Sequence, residues 1–155
     1  MSENTSGLKT LELVVDVPAD PQTVFDAMTD WDRQHEWMLG TKVRAGAGGG
    51  KGVGGEIAAF TGIGPIGFWD TMTITKWDDP RVVEVDHTGD LVRGKGVFRV
   101  EQHGTGSRFV WREEVDPPLG KLGQIGWYVV KPLLAAGVAL SLRRFARFAA
   151  SGRSA

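Results

Sequence analysis

Glu113, His87 and Asp70 are the side chains in this sequence best placed to move a proton. Read at a period of two, Glu113 shares a strand face with Phe109, Trp111 and Val115 in SRFVWREEVD. A carboxyl among such neighbours has a raised pKa and can act as acid or base. His87 shares a face with Val83 and Val85, and an imidazole there could poise a proton for an enolisation or a dehydration. Asp70 is in phase with Met72 and Ile74 and belongs to the same chemistry. Tyr128 is the only tyrosine, and its hydroxyl could orient a polar group of a ligand. Each has a plainer reading. Glu113 pairs with an arginine, His87 is a hydrogen-bonded residue at a strand end, and Tyr128 meets a backbone carbonyl.

Other chemistries lack their residues. There is no cysteine, and His35, His87 and His103 are scattered, so neither a disulfide framework nor a metal-ligand spacing is present. Gly46–Gly55 is rich in glycine, but Gly50-Lys51 is followed by Gly52 where a phosphate loop needs a hydroxyl. Gly50-x-Gly52-x-x-Gly55 and Gly62-x-Gly64-x-x-Gly67 match a dinucleotide fingerprint, yet both lead into strands, with no helix N-terminus to hold a phosphate. The first reads as a flexible hairpin loop at the mouth of a cavity. No cofactor and no metal are expected.

The elements that would position these residues follow from pattern. Leu8–Val17 alternates as a half-buried strand. Asp20-Pro21 caps a helix to Thr29, and Asp30 begins a second short helix over Trp31–Met38. Thr41–Ala45, Gly55–Thr61, Gly67–Trp77, Arg81–His87, Gly94–Gln102 and Ser107–Asp116 are six further strands joined by short turns, hence an antiparallel meander. Lys121–Ala150 is a long apolar helix, broken or kinked by Pro132, with Trp127, Leu134, Val138, Phe145 and Phe148 on one side and Arg143, Arg144 and Arg147 opposite.

So wide an apolar face must lie against something large, and the strands are the only partner. The fold class is α+β: a curved antiparallel sheet of about seven strands wrapped around a long C-terminal helix, enclosing an apolar cavity. From the strands, its expected lining is Phe60, Met72, Ile74, Val85, Phe98, Val100 and Trp111, with His87 and Glu113. The helices add Trp37, Met38, Tyr128, Leu134 and Val138. Trp31, Trp37, Trp69 and Trp111 could stack on a flat ligand, and His35 lies beside the expected entrance.

At 155 residues this is one domain over 8–150, with 1–7 and 151–155 expected to be disordered. From Lys121 onward there are six basic residues and no acid, leaving 12 basic against 19 acidic residues upstream, a balance of −7. Cations suit a helix C-terminus, and three arginines without interleaved exposed aromatics are a weak nucleic-acid patch. A membrane span over 122–142 is long enough but holds Gln124, Lys131 and Pro132, so no stable insertion is expected. The N-terminus lacks a signal-peptide pattern, which points to the cytoplasm.

The order of elements resembles the START-like helix-grip superfamily (SRPBCC), in its bacterial polyketide cyclase/dehydrase and lipid-transport branch. The resemblance is carried by VPADPQTVFDAMTD after the first strand, the WxxxxxWM stretch Trp31–Met38, Gly52-Val53-Gly54 before the third strand, and Leu-Arg-Arg-Phe at 142–145. It covers roughly 8–150 and implies a ligand cavity between sheet and helix, with no universal catalytic residue.

The expected partner is therefore a hydrophobic small molecule such as a lipid, an isoprenoid or quinone, or a polyketide. No nucleic acid is expected, and the chain reads as a monomer or homodimer. The leading reading is a non-catalytic carrier or sensor. The alternative is a cyclase/dehydratase using Glu113, His87 or Tyr128, favoured if two of those groups meet inside a closed pocket. A third is an interaction domain whose cavity is filled by Trp and Phe side chains.

Overall fold

The structure is a computed structural model that describes residues 8–117 and 119–152. The disorder expected for 1–7 and 153–155 lies outside those residues; Ser151 and Gly152 form a turn after the last helix.

Strand β1 (Lys9–Val17) leads into α1 (Pro21–Met28), whose start is fixed by Asp20 accepting from the Thr23 amide at 3.0 Å and by Pro21 in the first turn. The short helix expected over Trp31–Met38 is a 3-10 helix, Trp31–Glu36. It is six residues long and the side chain of Asp30, expected to cap it, makes no cap; buried Trp31 and Gln34 and the Arg33–Glu36 ion pair hold it. Then follow β2 (Thr41–Ala45), β3 (Glu56–Ile63), β4 (Ile66–Asp78), β5 (Val82–Thr88), β6 (Arg93–His103), β7 (Gly106–Asp116) and α2 (Gly120–Ala150).

The seven strands form one antiparallel sheet in the order β1-β7-β6-β5-β4-β3-β2. A register shift between Ile74 and Lys76 breaks the β4–β5 ladder and helps the sheet bend. Inside the curl lies α2, an unbroken helix of 31 residues through Pro132. Its C-terminal half is anchored: Leu142, Phe145 and Ala149 are buried, and the Phe145 ring lies 4.8 Å from both Trp37 and Phe109. Arg144 donates to the Glu36 carbonyl at 3.0 Å, while Arg143 and Arg147 stay exposed.

Two ends of the sheet differ. The α1 end, where Val17 pairs with Ser107, is closed by α1 and the C-terminal half of α2. At the other end lie the β3–β4 turn, the β5–β6 turn and the β7–α2 junction. The glycine-rich 46–55 loop is at the closed end. It is pinned there by Trp31 Nε1 donating to Gly50 O at 2.7 Å and by the pair Gly54 N to Ile74 O and Ile74 N to Gly55 O, each 2.8 Å. It contributes nothing to the cavity wall, which corrects its expected place at the mouth.

Candidate functional site

A cavity of about 710 Å³ lies between the sheet and α2. Its wall is mostly apolar, with Gln34, Thr41, Thr61, Asp116 and Ser141 among the lining residues, and one cluster of titratable groups stands out. There His87 Nδ1 lies 2.8 Å from Asp70 Oδ1, and His87 Nε2 lies 2.8 Å from Glu113 Oε2. All three residues line the cavity, and the His87 side chain is only 4 % exposed.

The backbone makes this meeting possible. His87 is on β5 and Glu113 on β7, with β6 between them. Across β6 their cross-strand neighbours are Gly94 and Gly96. Two strand spacings are about 9.6 Å; a side chain at Gly96 would stand in the gap, and one at Gly94, whose φ is +130°, would strike the Glu114 carbonyl. A Cβ on Gly96 would lie 3.2 Å from Glu113 Oε2 and 3.0 Å from Val85 Cγ2. The bare stretch of β6 is thus the floor over which imidazole and carboxylate reach each other. Asp70 closes the row from β4, two residues from Met72, the cross-strand partner of His87.

Both ring nitrogens of His87 face carboxyl oxygens, an arrangement that suits the imidazolium, which donates from both. Burial alone would lower its pKa. The hydrogen bonds to Asp70 and Glu113 and the charges of the two acids overcome that, and the pKa stands at about 10. Burial raises the Glu113 pKa, against the pull of His87. His87 and Glu113 titrate as a coupled pair. With His87 donating to Oε2, Glu113 Oε1 is the oxygen left for a ligand.

Of the residues expected to line the cavity, Trp37, Met38, Met72, His87, Phe98, Trp111, Glu113, Leu134 and Val138 do so. Five do not. Ile74, Val85 and Val100 face inward but lie in solid core, buried to 1 %, 0 % and 3 % exposure. Phe60 is on the outer face of β3, because its neighbours Ala59 and Thr61 take the inner one; it packs on Trp69 at 5.3 Å. Tyr128 is 72 % exposed with Lys9 Nζ 5.2 Å from its ring, since Trp127 one step earlier takes the inward position. Trp69 is likewise outside, one step from inward Asp70, under the Arg44 guanidinium at 5.1 Å. His35 is exposed, its Nδ1 3.0 Å from the Asp32 carbonyl. Trp31 touches the cavity and serves the 46–55 loop.

Sequence reasoning missed Gln34, Gly94 and Gly96. Gln34 lines the cavity although only 7 % exposed. It precedes Trp37 by one 3-10 turn, a spacing that could have revealed it. The indole N–H groups of Trp37 and Trp111 are buried without a partner among the described residues. Among those residues no group of acids and histidines is arranged to hold a metal ion.

Comparison with known proteins places this geometry in context. The family model for polyketide cyclase / dehydrase and lipid transport matches residues 9–149. No curated protein matches the sequence significantly. Among solved structures, the Thermus thermophilus protein TTHA0849 superposes with a TM-score of 0.79 at 15% identity, covering 94% of this chain and 100% of that one. A Thalictrum norcoclaurine synthase point mutant gives 0.67 at 16%, covering 95% and 97%. The di-domain ARO/CYC protein StfQ of the steffimycin biosynthetic pathway gives 0.72 at 11%, covering 93% of this chain and 51% of that one. At these identities the likeness concerns the fold.

Proposed function

The chain belongs to the polyketide cyclase / dehydrase and lipid transport family, and from that premise we propose that it binds a hydrophobic carbonyl compound and transfers protons at Glu113. The observation that carries the proposal is the Asp70–His87–Glu113 row on the wall of a mostly apolar cavity. Two of the candidate groups meet inside the pocket, which moves the reading from a pure carrier toward a cyclase/dehydratase. The open volume removes the support for a collapsed cavity.

The proposed step starts from the protonated form of Glu113, which burial favours. Glu113 Oε1 gives its proton to the ligand's carbonyl oxygen. The carboxylate left behind is stabilised by the His87 imidazolium and takes a proton from the carbon next to the carbonyl. One proton enters the oxygen and one leaves the carbon, so the net step is enolisation. An enol can attack a second carbonyl in the same folded molecule or precede loss of water. The cavity wall excludes water and orients the chain, while His87 holds the Glu113 carboxyl in place. His87 has no nitrogen free for the ligand and acts as a positioning residue.

A second reading rests on the mostly apolar wall: a carrier needs only a hydrogen bond to orient its cargo and no turnover. The two are separated by deuterium exchange. In D2O the wild type should speed exchange beside the carbonyl of the fused-ring ketone oxo-tetrahydrophenanthrene by about 100-fold or more. Glu113→Gln should bind the ketone and lose that acceleration. Binding with no acceleration by the wild type leaves the carrier, and no binding overturns both.

A further inference from the structure

Helix α2 has a second apolar stripe that the fold leaves uncovered. Leu122, Ile125, Val129, Leu133 and Leu140 recur at steps of three, four, four and seven, which is one side of a helix. They are 73 %, 65 %, 69 %, 74 % and 45 % exposed. This side differs from the one carrying Trp127 and Val138, which are buried. The two sides meet at Leu122 and Leu133, which are exposed and also line the cavity.

The strand register gathers more apolar side chains beside this stripe. Thr88 pairs with Arg93, Arg93 with Asp116, and β4 runs past Met72, the partner of His87, to Ile66. The β3–β4 turn, the β5–β6 turn and the start of α2 therefore share one end of the sheet. Each presents bulky apolar residues to solvent: Ile63 and Ile66 at 88 % and 80 %, Leu91 at 53 %, Leu119 at 81 %. Leu91 and Leu119 also line the cavity, so this end is its mouth.

We propose that this mouth and the outer stripe of α2 form a docking surface for an anionic lipid bilayer. Charge supports that occupant. Lys121 is exposed beside the stripe, Arg143 and Arg147 are exposed in line with it toward the C-terminus, and α2 holds no acidic residue. On the rim, exposed Asp90 and Asp116 against exposed Arg93 leave one negative charge, which the three helix cations outweigh. A second copy docked here by two-fold symmetry would bring those cations to a helix with no acid to meet them. The position over the mouth fits the same occupant, because a fluid bilayer covers the opening and still lets an apolar ligand pass. Contact lies along the interface and does not span it, since Leu142, Phe145 and Ala149 hold the rest of α2 in the core. The proposal goes beyond the reading of the cavity and holds for a carrier or a catalyst.

The test is flotation with phosphatidylcholine vesicles, with and without phosphatidylglycerol. The wild type should rise with the anionic vesicles, and added salt should reduce the bound fraction. Ile125→Asp/Val129→Asp changes two residues that do not line the cavity, and should cut vesicle binding about tenfold or more. That variant should still bind the neutral dye N-phenylnaphthylamine in the cavity, which excludes misfolding as the cause. A wild type that fails to float with either vesicle overturns the proposal, as does a double variant that floats equally well. A wild-type dimer that the double variant converts to monomer, without vesicle binding, assigns the surface to a second copy.

Discussion

His87 is held at both nitrogens by carboxyl oxygens 2.8 Å away, and the expected outcome is an imidazolium across the neutral range. Nitrogen-15 NMR of the ring should show both nitrogens protonated until the pH nears about 10. Asp70→Asn should lower that titration point, since it removes one of the charges that raise it. The sign for stability follows: folded His87 titrates at about 10 against 6.5 for the free side chain, so its contribution is complete below about 6.5 and lost as pH rises through about 10. A wild-type melting temperature that does not fall over that window while His87→Gln behaves identically would contradict the assignment. Much of this site is legible in the sequence, because period two places Asp70, His87 and Glu113 on inner faces. Their meeting is not legible. It depends on which strand lies between β5 and β7 and on Gly94 and Gly96 being bare there, which a residue pattern without register does not contain.

At the level of elements, β6 carries a prediction of its own. Gly96→Ala places a methyl group 3.0 to 3.2 Å from Val85, Phe98 and Glu113. It should cost about 1–3 kcal/mol in chemical denaturation and shift the His87 titration, whereas a purely structural glycine would change stability alone. Helix α2 divides into halves with different work. Phe145→Ala in the anchored half should destabilise by about 3–5 kcal/mol, because Phe145 is fully buried between Trp37 and Phe109. The sequence marks this helix by length and apolarity and places Trp127, Val138 and Phe145 correctly on one side. It does not show that the N-terminal half stands partly outside the sheet, which is why Tyr128 falls in solvent and not in the cavity. Two apolar faces on one helix give the same composition as one wide face. The short helix after Asp30 is legible in position but not in type, since six residues between tight turns are wound by their contacts.

For the whole molecule, the long antiparallel strands curl because the β4–β5 ladder slips after Ile74 and β6 lacks side chains at two inner positions. That curvature keeps about 710 Å³ open in a chain of 155 residues. The closed end is solid core, where Ile74, Val85 and Val100 pack, and the open end holds both the polar row and the apolar rim. An apolar molecule with one carbonyl matches this division: rings against Trp37, Phe98 and Trp111, oxygen toward Glu113. The most direct measurement is a matched pair of ligands displacing N-phenylnaphthylamine from the cavity. Oxo-tetrahydrophenanthrene should bind about fivefold to tenfold more tightly than its parent tetrahydrophenanthrene, the worth of one hydrogen bond from Glu113. Glu113→Leu should erase the difference while keeping affinity for the parent. Equal binding of the two by the wild type, or a preference that survives in Glu113→Leu, would contradict the account.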